Sequence, residues 1–221
     1  MNKKFEAVIF DLDGVITDTA EYHYLAWKQL GEEIGISFDR EFNETLKGVS
    51  RLDSLERILE LGNRQQDFTL AEKEALANKK NDHYVHLIQD ITPADLLPGI
   101  QELLQNLKAS GYKIGMASAS KNAFTVTKAL GVQSYFDHIV DAATVKNSKP
   151  DPEVFLKAAV AIGANPENCI GVEDAAAGVT AINEAKMFSI AIGNDPGLNQ
   201  AHMILPSTKE LTLDVITKIA Q

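Results

Sequence analysis

Four stretches of this chain are apolar without interruption over the length of a strand: AVIF (7–10), KIGMAS (113–118), CIGV (169–172) and MFSIAI (187–192). A strand with one wet face alternates apolar and polar side chains, whereas a strand covered on both faces has no need to. The unbroken runs therefore predict a parallel sheet enclosed between helices. The segments between them fit that role: GIQELLQNLKAS, AFTVTKAL and PEVFLKAAVAI are helical in pattern, and each runs to a glycine, Gly111, Gly131 or Gly163, placed as a C-terminal cap. Strand, helix, strand, helix implies right-handed crossovers and a doubly wound α/β core. A strand around Met203–Leu205 and a last helix are expected to complete it.

One region breaks the alternation. Residues 18–90 are polar, helical in pattern and lack a strand-like apolar run. Ala20, Tyr24, Trp27, Leu30 and Ile34 recur at helical spacing and give the first helix of this region an apolar stripe. Later helices are expected over SRLDSLERILEL and LAEKEALANKKNDHYVHLI, and Pro93 and Pro98 restrict the chain where it re-enters the core. The expected organisation is a Rossmann-like core of residues 1–17 and 91–221 with an inserted all-helical cap of residues 18–90. Two short crossings would join them and make a natural hinge.

A length of 221 residues suits one sizeable domain with a smaller one. The net charge of -10, with no lysine or arginine cluster, argues against a nucleic-acid partner. It also means that an anionic substrate must be held by a few placed cations, backbone N–H groups and a metal, because the overall field would repel it. Cys169 has no second cysteine to pair with, and in the run CIGV it reads as a small buried hydrophobe. MNKKFEAVIF leads into a strand without the long apolar stretch of a signal peptide or a membrane span. A cytoplasmic monomer without a membrane partner is the expectation.

The chemistry concentrates at strand ends. DLDGVITDT begins at Asp11, directly after the first buried run, and open parallel sheets place their ligand crevice at the carboxyl ends of strands. Gly14 allows the chain to leave extended geometry, so Asp11 and Asp13 can face one crevice. Ser118, Ala119 and Ser120 close the KIGMAS strand with small side chains and backbone amides suited to phosphate oxygens. Lys149-Pro150 lies in a loop before a helix and offers a point cation. GVEDAAAG (171–178) sets Glu173 and Asp174 at another strand end, and hard carboxylate oxygens are what magnesium takes. Each motif alone also reads plainly, as an Asp-Gly turn, a turn serine, a solvated lysine or helix N-terminal acids. All four in order make chance a poor account.

With those four motifs the chain resembles the haloacid dehalogenase superfamily of phosphotransferases over essentially its whole length. The resemblance implies that Asp11 attacks phosphorus, that Asp13 acts as general acid and base, and that Ser118 and Lys149 bind the phosphate, with Ala119 beside them. It also implies Mg2+ held by Asp11, the backbone carbonyl of Asp13, Glu173 and Asp174.

Within the superfamily, TDTAEYHYLAWK (17–28), LKGVSRLDSL (46–55), KKND (79–82) and SASKN (118–122) are similar to the β-phosphoglucomutases. That similarity implies that His23, Arg51, Ser54, Lys80 and Asn122 contact sugar hydroxyls or a second phosphate, with Thr19 near the hinge; the rotation of the helix leaves Lys79 open as the alternative to Lys80. His23 also reads as a core histidine one turn from Trp27, and Arg51 as a solvated arginine at a helix start. A mutase, unlike a simple phosphatase, needs a second phosphate site, which the planar fork of Arg51 suits. The implied reaction interconverts β-glucose 1-phosphate and glucose 6-phosphate, with β-glucose 1,6-bisphosphate as activator and intermediate. The competing readings are a sugar phosphate or phosphoglycolate phosphatase, told apart by steady release of phosphate, and a phosphate-binding protein that has lost catalysis, against which the intact motifs argue.

Overall fold

In the computed structural model, residues 5–219 are described. Six parallel strands form one sheet: β1 (Ala7–Phe10), β2 (Lys113–Met116), β3 (His138–Ile139), β4 (Cys169–Glu173), β5 (Phe188–Ile192) and β6 (Met203–Leu205), in the order β3-β2-β1-β4-β5-β6. The chain starts in the middle, builds outward through β2 and β3, then returns to the other side of β1 with β4. That reversal is the switch point where open α/β sheets form a crevice. Phe10, the last residue of β1, is in register with Met116 of β2 and Val172 of β4. The ladder carries on for one more step, with Asp11 N–H donating to Val172 O at 2.9 Å and Ala117 N–H to Phe10 O at 2.8 Å. Asp11 is thereby held at the carboxyl edge.

The unbroken apolar runs are what two covered faces require. Ala7, Val8, Ile9 and Phe10 are all fully buried, and one face packs Ala7, Ile9 and Cys169 with Phe155, Ala158 and Ile182. Phe155 and Ala158 come from α7 (Glu153–Ala161), and Ile182 from α8 (Ala176–Glu184). The core helices α5 (Ile100–Ala109), α6 (Ala123–Ala129) and α9 (Leu213–Ile219) complete this unit. Gly111, Gly131 and Gly163 adopt left-handed φ of 72°, 72° and 65° just past α5, α6 and α7, as C-terminal caps do. Cys169 is buried; burial, with a lesser contribution from Glu6, pushes its thiol up to about 12.

Two details differ from the sequence reading. The KIGMAS strand ends at Met116, because Ser118 Oγ accepts from Ser120 N–H (3.1 Å) and Ser120 Oγ from Asn122 N–H (3.2 Å). Local side-chain bonds there replace the ladder and turn the chain. Strand β3 has only two residues, too few to leave an apolar run, and was not among the strands the sequence indicated.

By its contacts the chain divides into two compact units, residues 1–18 with 91–221, and Thr19–Asp90. In the first unit the departing and returning segments are tied together by Thr17 Oγ1 donating to Asp95 O (2.7 Å) and Leu97 N–H to Ile16 O (2.9 Å). The second unit is helical: α1 (Ala20–Glu33), α2 (Arg40–Glu44), α3 (Arg51–Leu61) and α4 (Leu70–Leu87). Its core gathers Trp27 and Leu30 from α1, Leu55, Ile58 and Leu59 from α3, and Ala77 from α4. Ser50 caps α3 by accepting from Asp53 N–H, and Thr69 with Glu72 forms a capping box on α4. The pairs Arg51 with Asn81 and Glu56 with Lys73 set α3 antiparallel to α4. Among the described residues, no helix is long and apolar enough to cross a membrane.

Candidate active site

Asp11 follows β1 directly and is 5% exposed. Its Oδ1 lies 3.0 Å from Lys149 Nζ, which is also 2.7 Å from Glu173 Oε2, so one buried ammonium joins two buried carboxylates. Burial opposes the charge on Lys149, but Asp11 and Glu173 together hold its pKa above the ordinary value. For Glu173 burial dominates; with the Asp11 charge it raises the carboxyl above the usual range against the pull of Lys149. Removing one member of such a triad would leave an uncompensated charge out of water, which is far more costly than losing a surface pair.

Glu173 is fully engaged. Its Oε1 accepts from the N–H groups of Asp174 (3.2 Å) and Ala175 (3.1 Å), while Oε2 takes Lys149. Asp11, Glu173 and Asp174 each present a carboxylate oxygen, and the three oxygens lie within 4.8 Å of one another. Such a donor set fits a hard divalent cation such as Mg2+. The loop before it is shaped to match: Gly14 has φ 71°, and a Cβ on it would stand 2.2 Å from Asp174 Oδ2. Only a glycine lets the DLDG turn approach that carboxylate so closely. Asp13 is half-buried in this turn, which Gly14 N–H closes onto Thr17 O at 2.8 Å.

Ser118 is buried just past the end of β2, one step beyond Ala117, which continues the ladder beside β1; Ala119 and Asn122 are half-buried in the turn that follows. Lys149 stands in a loop that is pinned to α7. Glu153, the first residue of that helix, pairs with Lys157 (2.8 Å) and accepts from the backbone N–H of Lys146 (3.0 Å) and Asn147 (2.9 Å). These contacts hold its carboxyl down at about 2. The Lys149-Pro150 bond is cis, and the ring of Phe155 lies 5.1 Å from Lys149 Nζ.

The helical unit makes a second constellation. His23 on α1 stacks on Tyr84 with ring centroids 4.0 Å apart, and its Nδ1 lies 2.7 Å from Lys80 Nζ. Lys80, buried on α4, also sits 4.7 Å from the Trp27 ring and 5.0 Å from the Tyr84 ring. Removal from water, then the charges of Lys80 and Arg51, hold the His23 pKa well below its ordinary value. A neutral imidazole beside two cations is a positive locus in a chain of net charge -10. Lys79, by contrast, is exposed and pairs with Glu33 at 2.6 Å, so the rotation of α4 turns Lys80 inward. Arg51 is half-buried at the start of α3, Ser54 is buried one turn on, and Thr19 is buried immediately before α1.

Residues 5–186 match the family model of haloacid dehalogenase-like hydrolases. The chain belongs to this family. Among haloacid dehalogenase-like relatives, one from Bacillus subtilis named β-phosphoglucomutase is 48% identical over 96% of this chain and 93% of its own. A crystal structure of β-phosphoglucomutase from Clostridium difficile superposes with a TM-score of 0.95 at 52% identity, covering 97% of this chain and 96% of that one. A phosphorylated carbohydrates phosphatase from Thermotoga maritima is 31% identical over 81% of each chain. The family uses Mg2+, and the acidic cluster at Asp11 is present to receive it.

Three residues of this haloacid dehalogenase-like chain escaped the sequence reading of the site. Asn81 meets Arg51 from a helix 30 residues away, and Glu153 accepts from loop amides six and seven residues back, outside any helical or strand period. Gly178 is the third: a Cβ there would meet Glu173 Oε2 at 2.0 Å. The run AAAG after Glu173 carries a signal for it, since four small residues in succession mark a close approach.

Proposed function

We propose that this chain is a β-phosphoglucomutase, interconverting β-D-glucose 1-phosphate and D-glucose 6-phosphate through an aspartyl phosphate on Asp11 and β-glucose 1,6-bisphosphate. The observation that carries the reading is the buried Asp11 carboxylate at a strand end, 3.0 Å from Lys149 and beside Glu173 and Asp174, in a chain 48% identical to a relative of that name. An Asp11 oxygen attacks phosphorus while the bond to the sugar oxygen breaks, and Asp13 donates the proton that oxygen needs. In the reverse transfer Asp13 takes a proton from the attacking sugar hydroxyl. Lys149 and the amides after Ser118 and Ala119 neutralise and position the transferring oxygens, the largest contribution a protein makes to phosphoryl transfer. Mg2+ held by Asp11, the Asp13 carbonyl, Glu173 and Asp174 would supply further neutralisation of that charge. Arg51 binds the phosphate that is not transferred, and His23, Ser54, Lys80, Asn122 and Thr19 orient the sugar.

The test mixes purified protein with magnesium, β-glucose 1-phosphate and a trace of β-glucose 1,6-bisphosphate, and follows glucose 6-phosphate and inorganic phosphate together. Glucose 6-phosphate without matching phosphate release is the expected result. Phosphate release without isomerisation would make the chain a sugar phosphatase, the activity its Thermotoga relative is named for.

A further inference from the structure

Arg51 is the first residue of α3, where a cation meets the positive end of the helix dipole and an anion is the stabilising group. Loss of water lowers its pKa, with exposed Asp82 acting against that. One Nη2–H of its guanidinium donates to Asn81 Oδ1 at 2.8 Å. Further along the same pair of helices, Lys73 Nζ holds Glu56 at 2.7 and 3.0 Å, a second rung that keeps Asn81 opposite Arg51. The bond occupies one of five donors and orients the planar fork. Because the acceptor is an amide, it fixes the guanidinium without cancelling its charge; a carboxylate would do both.

We infer that Asn81 is a positioning residue for Arg51, aiming a fully charged guanidinium at the second, dianionic phosphate of a sugar bisphosphate. The inference rests on the proposed role of Arg51 in binding that phosphate. A small acyl phosphate such as acetyl phosphate carries only one phosphate and has no use for Arg51, so it separates positioning from general damage. The experiment compares wild type, Asn81→Ala, Asn81→Asp, Arg51→Ala and the Arg51→Ala/Asn81→Ala double variant. Two readouts are taken: the KM for β-glucose 1,6-bisphosphate, and the rate at which acetyl phosphate phosphorylates Asp11, followed by intact mass. Asn81→Ala should raise the bisphosphate KM about tenfold, the effect of losing one hydrogen bond to a charged group, and leave acetyl phosphate labelling unchanged. Asn81→Asp, which keeps the side-chain shape, should raise KM as well because it neutralises Arg51. In the Arg51→Ala background Asn81→Ala should add nothing.

An unchanged KM in either single Asn81 variant overturns the inference, as does an equal loss of acetyl phosphate labelling or a further KM rise in the double variant. An unchanged KM in Arg51→Ala would instead bring down the reading of Arg51 and the inference with it, and that outcome is separately visible.

Discussion

At the scale of single residues, Asp11, Lys149 and Glu173 depend on one another, and small neighbours decide whether they can. Asp11→Asn keeps the shape of the side chain and removes the oxyanion proposed as the nucleophile. Turnover is expected to fall by on the order of 10^4 or more in an assay coupled to glucose 6-phosphate. Near-normal activity in that variant would sink the nucleophile assignment. Gly178→Ala tests the packing beside it. A Cβ at 2.0 Å from the Glu173 carboxyl forces that side chain, 0% exposed, off its hold on Lys149. The stability cost of such overpacking is about 1–3 kcal/mol, while kcat should drop out of proportion to it. Thermal unfolding and steady-state kinetics on one preparation check both. If kcat is unchanged while the melting temperature falls, the Glu173 to Lys149 contact does not matter to turnover.

At the scale of elements, the loop that carries Lys149 is held by the first turn of α7. Glu153 has its pKa depressed from 4.5 to about 2 by Lys157 and then by the N–H groups of Lys146 and Asn147. A carboxyl lowered in the folded state releases its proton more readily there than in the unfolded chain. Its contribution to stability is therefore present above the unfolded value and is lost as pH falls from about 4.5 towards about 2. Glu153→Gln cannot titrate, so its stability should decline less steeply than that of the wild type between about pH 5 and about pH 3. Denaturant melts at a series of pH values give the two slopes, and identical slopes would show that the latch is not formed in solution. The same loop geometry explains why Lys149, 2% exposed, keeps its charge: its partners arrive from β1 and β4, elements already fixed by the sheet register.

At the scale of the whole molecule, each of the two units has buried hydrophobic clusters of its own. The sheet unit buries all four residues of β1, and the helical unit closes around Trp27, Leu55, Ile58 and Leu59. Leu55 is fully buried, and Leu55→Ala should cost about 3 kcal/mol through the cavity it leaves. Hydrogen exchange should then speed up across residues 19–90 while the amides of β1 and β4 stay protected, as expected of separate cooperative units. Uniform acceleration along the chain would show that the two units unfold as one. Much of the architecture was legible beforehand. Unbroken apolar runs of strand length, alternating with helical segments that end at glycines, suit a sheet covered on both faces, and parallel strands bring their carboxyl ends to one edge. The sequence alone therefore determined the α/β class and the positions of Asp11, Glu173 and Asp174 at strand ends. It also determined that Lys149 lies in a loop before a helix, but it ran the second strand through Ser118, whereas that strand ends at Met116 and Ser118 stands in the turn. Other features rest on contacts between segments far apart in the chain, which no local period records. Those contacts decided the two-residue strand β3, the inward rotation of Lys80 over Lys79, and the bond between Arg51 and Asn81. They exist only once the helices have packed.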